Sequence, residues 1–155
     1  MQQQETQIYG IRALIEALKA GKTIDKVFLQ KGLQGGLFRE LMPLLQVAQV
    51  PVQYVPVEKL NRLTKKNHQG VVANLSPVDY HNFEDLVISV TESGATPLFL
   101  VLDHLSDVRN FGAIIRTAEC TGVSGIIIPK RGSVSITADT VKTSAGAVFR
   151  VPICK

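Results

Sequence analysis

Cysteine is scarce in this chain: Cys120 and Cys154 stand far apart, with no Cys or His at ligand spacing. Neither a zinc site nor a disulfide framework is expected, and both read as reduced packing residues. Long hydrophobic runs are missing as well. Leu98 to Leu102 and Gly125 to Pro129 are the longest, far short of the roughly 20 apolar residues a membrane span needs. The opening Met1-Gln2-Gln3-Gln4-Glu5 has neither a basic region nor an apolar core, so a cytoplasmic protein is expected. There are no internal repeats, and the Walker and dinucleotide glycine patterns are absent. Their absence weighs against a nucleotide-binding α/β domain that grips phosphate through a glycine loop.

What is present is enough apolar material for one ordinary domain or two small ones: 155 residues, 45% hydrophobic and 19% charged. The net charge of +4 is unevenly placed. Ten Lys or Arg stand against five Asp or Glu from Met1 to Ser76, and seven against eight from Pro77 to Lys155. A basic first half attracts polyanions and speeds encounter with nucleic acid, although such a surplus also serves as solubilising surface.

Periodicity predicts two α/β regions. Ile8, Ile11, Leu14, Ile15 and Leu18 share one helical face, with Gly21 as a stop. A strand at 26–30, a helix through Phe38, Leu41, Leu44 and Leu45, and a strand at 52–55 follow. Next come a short basic helix from Pro56 to Lys65-Lys66 and a strand at 71–73. The aperiodic 77–82 segment is the expected linker, separating residues 1–76 from 83–155. After it the pattern predicts a helix at 83–90 and a strand at 98–102 covered on both faces. A loop at 103–110, a helix at about 111–121 and a buried strand at 126–128 complete a parallel crossover.

In open parallel sheets ligands bind beyond the carboxyl ends of the strands, which makes the loop 103–110 the first place to look for a site. Asn110 is expected to cap the following helix, and Gly112 removes a side chain where backbone or ligand must come close. Arg116, four residues after Gly112, should lean back over that gap. A plain structural reading also fits, with Asn110 only a cap and Arg116 pairing with Glu119 at i+3. In the first half, Lys59, Arg62, Lys65 and Lys66 cluster beside His68 and Gln69. That cluster is either an RNA-binding patch or a solvated helix face, and His68 is either an RNA contact or a turn residue.

The string Leu102-Asp103-His104 through Asn110-Phe111-Gly112-Ala113-Ile114-Ile115-Arg116-Thr117-Ala118-Glu119 resembles the first motif of the SpoU/TrmH RNA methyltransferases, whose core is N-x-G-x-x-x-R. Gly122-Val123 and Thr143-Ser144-Ala145-Gly146-Ala147 continue the resemblance, which runs from Leu98 to Pro152. Tyr9-Gly10-Ile11-Arg12-Ala13-Leu14 and His68-Gln69-Gly70-Val71-Val72-Ala73 look like the two ends of the substrate-binding domain that precedes many such enzymes.

The resemblance implies a small domain similar to an RNA-binding ribosomal protein, followed by the first part of a knotted α/β (SPOUT) methyltransferase domain. It implies S-adenosylmethionine as methyl donor, ribose 2′-hydroxyls of rRNA or tRNA as acceptors, and a homodimer in the complete protein. It places the catalytic arginine on Arg116 and the motif asparagine on Asn110; beside them Glu119 reads, on its chemistry, as an orienting partner and not a separate acid or base. Because a guanidinium stays protonated, an electrostatic role suits Arg116 better than that of a base. The family's second and third motifs should follow Pro152, so the cofactor-binding residues are expected beyond Lys155. A non-catalytic RNA-binding fragment or derivative of the family is the alternative expectation.

Overall fold

The computed structural model describes residues 7–155. They fall into two compact units, one ending at Ser76 and the other running from Pro77 to Lys155. Each is built around its own sheet.

In the first unit the strands are β1 (Gln7–Tyr9), β2 (Ile24–Gln30), β3 (Val52–Val55) and β4 (Val71–Leu75), in the order β1-β4-β2-β3. Only β2 and β3 run parallel. Helices α1 (Ile11–Lys19) and α2 (Gly36–Val47) supply Ile11, Leu14, Ile15, Leu41 and Leu45 to one core. Val27, Leu29, Val71 and Ala73 of the sheet complete it. In β2, Phe28 lies between Val27 and Leu29, so it projects to the opposite face. There it joins a smaller cluster with Val55, Val72 and Leu60 of α3 (Val57–Leu63).

Two expectations for this unit are corrected. Ile8 is not on the first helix but in β1, because Gly10 at φ 87° turns the chain between them. The apolar spacing simply continues across that turn. The basic helix stops at Leu63, where Thr64 is extended, leaving Lys65 and Lys66 in the following bend.

In the second unit β5 (Phe99–Val101), β6 (Gly125–Ile127) and β7 (Ile153–Cys154) form a parallel sheet in that order. Around it lie α4 (Phe83–Glu92), α5 (Val108–Cys120), α6 (Ala138–Thr143) and a 3₁₀ turn at Ala147–Phe149. Phe111, Ile115 and Ala118 of α5 meet Ile126, Ile128, Ile136, Val148 and Ile153 in the core. The segment 77–82, expected as a linker, packs on this unit. Val78 and Tyr80 rest against the core, the His81 amide donates to the Ile153 carbonyl at 2.9 Å, and Asn82 caps α4 by accepting from the Asp85 amide.

The expected burial of the strand at 98–102 is also corrected. β5 is a sheet edge, with Leu98 50% and Val101 73% exposed. An unbroken apolar run does not distinguish a central strand from an edge. The strand around Ile126, expected to be buried, is the central one, hydrogen-bonded on both sides.

Gly112 sets the packing of α5 on α6. A Cβ there would lie 1.9 Å from Thr143 Oγ1, 2.7 Å from Thr143 Cβ and 3.0 Å from the Ser144 nitrogen. Two of those atoms are fixed to the α6 backbone, so a side chain at 112 forces the helices apart. Gly112→Ala is therefore expected to destabilise the second unit by about 1–3 kcal/mol, with Thr143→Ala restoring only part of the loss. Denaturant unfolding read by hydrogen exchange in each unit checks this; an unchanged second unit would contradict the packing.

Candidate functional site

Helix α5 begins three residues earlier than its apolar spacing suggests, because Asp107 caps it. The Asp107 Oδ1 accepts from the amides of Arg109 at 2.7 Å and Asn110 at 2.9 Å. Asn110 is thus not the cap but an exposed residue in the first turn. Arg116 follows six residues later, about 9 Å further along the axis. Its side chain is exposed and makes no hydrogen bond or ion pair among the described residues. The gap at Gly112 over which it was expected to lean is filled by Thr143.

Glu119 does not pair with Arg116. Its carboxylate is taken by Arg150, with Nη2 2.9 Å from Oε2 and Nε bonded to Oε1. This two-point bond holds the Glu119 carboxyl below the usual carboxylate range. Nothing local in the sequence announces a partner 31 residues away. The Asp107 cap was legible as an acidic residue just before the helical spacing.

The loop after β5 is held in place by the Val134 amide, which donates to the Leu105 carbonyl at 2.9 Å. Asp103 and His104 pair at 2.9 Å, with side chains 69% and 89% exposed, so their contact is weak. Cys154 is buried against the sheet, and burial pushes its thiol up, as suits a packing residue.

Between β5 and α5 lies an open groove of about 410 Å³, lined by Leu98, Leu100, Ala113, Ile114, Thr117, Ala118, Thr121 and Val123. Its two hydroxyls already donate along their own helix, Thr117 to the Ala113 carbonyl and Thr121 to that of Thr117. Small-molecule sites need a few convergent polar groups to orient the ligand. This groove offers none for an adenine, a ribose or an amino-acid carboxylate, so it does not fit S-adenosylmethionine.

In the first unit the predicted basic residues divide by environment. Lys59 Nζ stands 5.7 Å from the centre of the Phe28 ring and Lys66 Nζ 4.9 Å from that of Tyr9. Lys26, missed in the sequence, lies 5.1 Å from the Phe28 ring. The i, i+2 spacing of Lys26 and Phe28 in β2 was the available signal. Arg62 and Lys65 are exposed.

His68 is buried and spends both ring nitrogens internally. Nδ1 accepts from the Gly70 amide at 3.0 Å and Nε2 meets Asn61 Oδ1 at 2.9 Å. With Nδ1 an acceptor, the proton belongs on Nε2 and is donated to Asn61. His68 therefore shapes the turn instead of facing a ligand. Gln69 is exposed at φ 49°, and its Oε1 lies 3.1 Å from where a Gly10 Cβ would stand. The two stretches Tyr9-Gly10 and His68-Gln69-Gly70 thus meet at one end of the sheet.

Two family models match the chain. "RNA 2′-O ribose methyltransferase substrate binding" covers residues 7–81 and "SpoU rRNA Methylase family" covers 97–155. A putative TrmH family tRNA/rRNA methyltransferase of Bacillus subtilis is 36% identical over 155 residues, covering 100% of this chain and 62% of that protein. One from Staphylococcus saprophyticus is 37% identical over 152 residues, covering 98% of this chain and 61% of its own length. Among solved structures, an AdoMet-bound rRNA methyltransferase from Sinorhizobium meliloti is 25% identical, with 96% of this chain and 53% of that chain covered and a TM-score of 0.40. The chain thus spans less than two thirds of the length of the curated relatives it matches. With one model on each unit and relatives aligned from end to end, the chain belongs to the SpoU/TrmH family.

Proposed function

We propose that the protein containing this chain methylates a ribose 2′-hydroxyl of rRNA or tRNA, with S-adenosylmethionine supplying the methyl group. The observation that carries this reading is the exposed, unpaired Arg116 on α5 within the N-x-G-x-x-x-R spacing begun by Asn110. A guanidinium that stays charged cannot act as the base. It can hold a phosphate at two points beside the reacting ribose and favour negative charge growing on the 2′-oxygen. The hydroxyl proton then passes to a phosphate oxygen or a water. Asn110, in the first turn of the same helix, is assigned to orienting the acceptor. Glu119, engaged by Arg150, has no part in proton transfer. The first unit serves as the RNA-holding element, with Lys59, Arg62, Lys65, Lys66 and Gln69 facing the phosphates and His68 fixing the turn that presents them.

Arg116→Ala in the full-length protein should lower turnover at least about 100-fold with little change in unfolding midpoint, since the side chain is exposed and has no polar partner among the described residues. Arg116→Lys should recover little, lacking the planar fork. Methyl transfer to RNA at saturating donor is the measurement, and wild-type turnover in the alanine variant would remove Arg116 from the reaction.

Changing Lys65 and Lys66 together to alanine should weaken RNA binding by residues 1–155 and reduce the slope of log affinity against log salt by about 2, one for each lost phosphate contact. Filter binding across a salt series reads both quantities. An unchanged slope would place the phosphates elsewhere.

Residues 1–155 alone should show no binding of S-adenosylmethionine in calorimetric titration, because the groove beside α5 lacks the polar groups the donor requires. Micromolar affinity in this chain would mean that another part of it forms the pocket.

A further inference from the structure

The Arg116 guanidinium is of use to an RNA phosphate only if no protein carboxylate already occupies it. Glu119 is the obvious competitor: it lies three residues along α5, at the spacing where helical side chains meet. In the structure its carboxylate is turned instead to Arg150, which engages both oxygens. The backbone that carries Arg150 is itself held in position. Its amide donates to the Ala147 carbonyl at 2.9 Å, and Val148 and Val151 on either side are 2% and 5% exposed.

We propose that Arg150 is a positioning residue that holds Glu119 away from Arg116 and so keeps the Arg116 guanidinium open to an RNA phosphate. The proposal rests on the phosphate-holding role of Arg116 given above. A two-point bond from an arginine outcompetes a single helical i, i+3 contact, in which the arginine also precedes the acid, the less favourable order along a helix. Removing Arg150 frees a negative charge one turn from Arg116. A phosphate approaching Arg116 would then have to displace that carboxylate. On a purely structural view the same pair only ties the end of α5 to the segment 147–151, and the state of Arg116 would not depend on it.

Phenylglyoxal, which modifies unpaired guanidinium groups, separates these views on residues 1–155 without any methyl transfer. Modification at Arg116 is followed by mass spectrometry of the peptide that carries it. Arg150→Ala is expected to slow modification of Arg116 about two- to fivefold, the range of an exposed ion pair. The double variant Glu119→Gln with Arg150→Ala is expected to return it to the wild-type rate. An unchanged rate in Arg150→Ala, or an equal slowing in the double variant, overturns the proposal. If Arg150→Ala does not fold by circular dichroism, Arg150→Lys takes its place. It keeps one contact, so a smaller slowing is expected, again removed by Glu119→Gln, and no slowing there overturns the proposal. Should the rates behave as expected while Arg116→Ala retains full turnover, the catalytic role of Arg116 fails and the competition for Glu119 stands.

Discussion

At Gly112 the backbone of α5 lies against Thr143 of α6 and the Ser144 that follows it, with no room for a single methyl group. The rest of the second unit is arranged around that approach. It fixes the side of α5 turned to α6, and Phe111, Ile115 and Ala118 follow into the core. Arg116 and Glu119 are left outside the fully buried set. α6 itself is short and polar, and its buried Thr140 and the buried Ser144 at its C-cap bond to nearby backbone. It is held in place mainly by the tight seat on α5. The motif glycine is thus a packing requirement first, and the placement of Arg116 is one of its effects.

The two units use positive charge differently. In the first, the ammonium groups of Lys26 and Lys59 stand over the Phe28 ring and that of Lys66 over the Tyr9 ring. A patch of this kind favours polyanions broadly and carries little geometric information. In the second, two arginines on neighbouring elements have opposite fates: Arg150 is committed to Glu119 and Arg116 is left open. Their difference comes from surroundings and not from chemistry.

Much of this was legible from residue order. The strong helical spacing of α2 and the core face of α5, the apolar run of β6 and the division near Ser76 all follow from local pattern. Ile8 was assigned to a helix because apolar spacing is indifferent to the positive φ of Gly10. β5 was expected to be covered because its composition matches that of a central strand, whereas its edge position depends on which strands pair beside it. α6 carried too little apolar periodicity to register, and the tie between Arg150 and Glu119 joins residues 31 apart. At the site, the motif spacing located Arg116 but could not say what fills the space beside Gly112. Long-range packing decides such points, and local pattern is silent on it.

In the first unit Gln7 pairs with Asn74 and Tyr9 with Val72. The strand that opens the unit therefore lies beside the one that closes it. Such a sheet cannot be completed during synthesis until the final strand has emerged, and pairing so distant in sequence is slow to form. Neighbouring ends also allow a unit to be joined to or removed from a longer chain at a single place on its surface. Its architecture is that of a portable cassette.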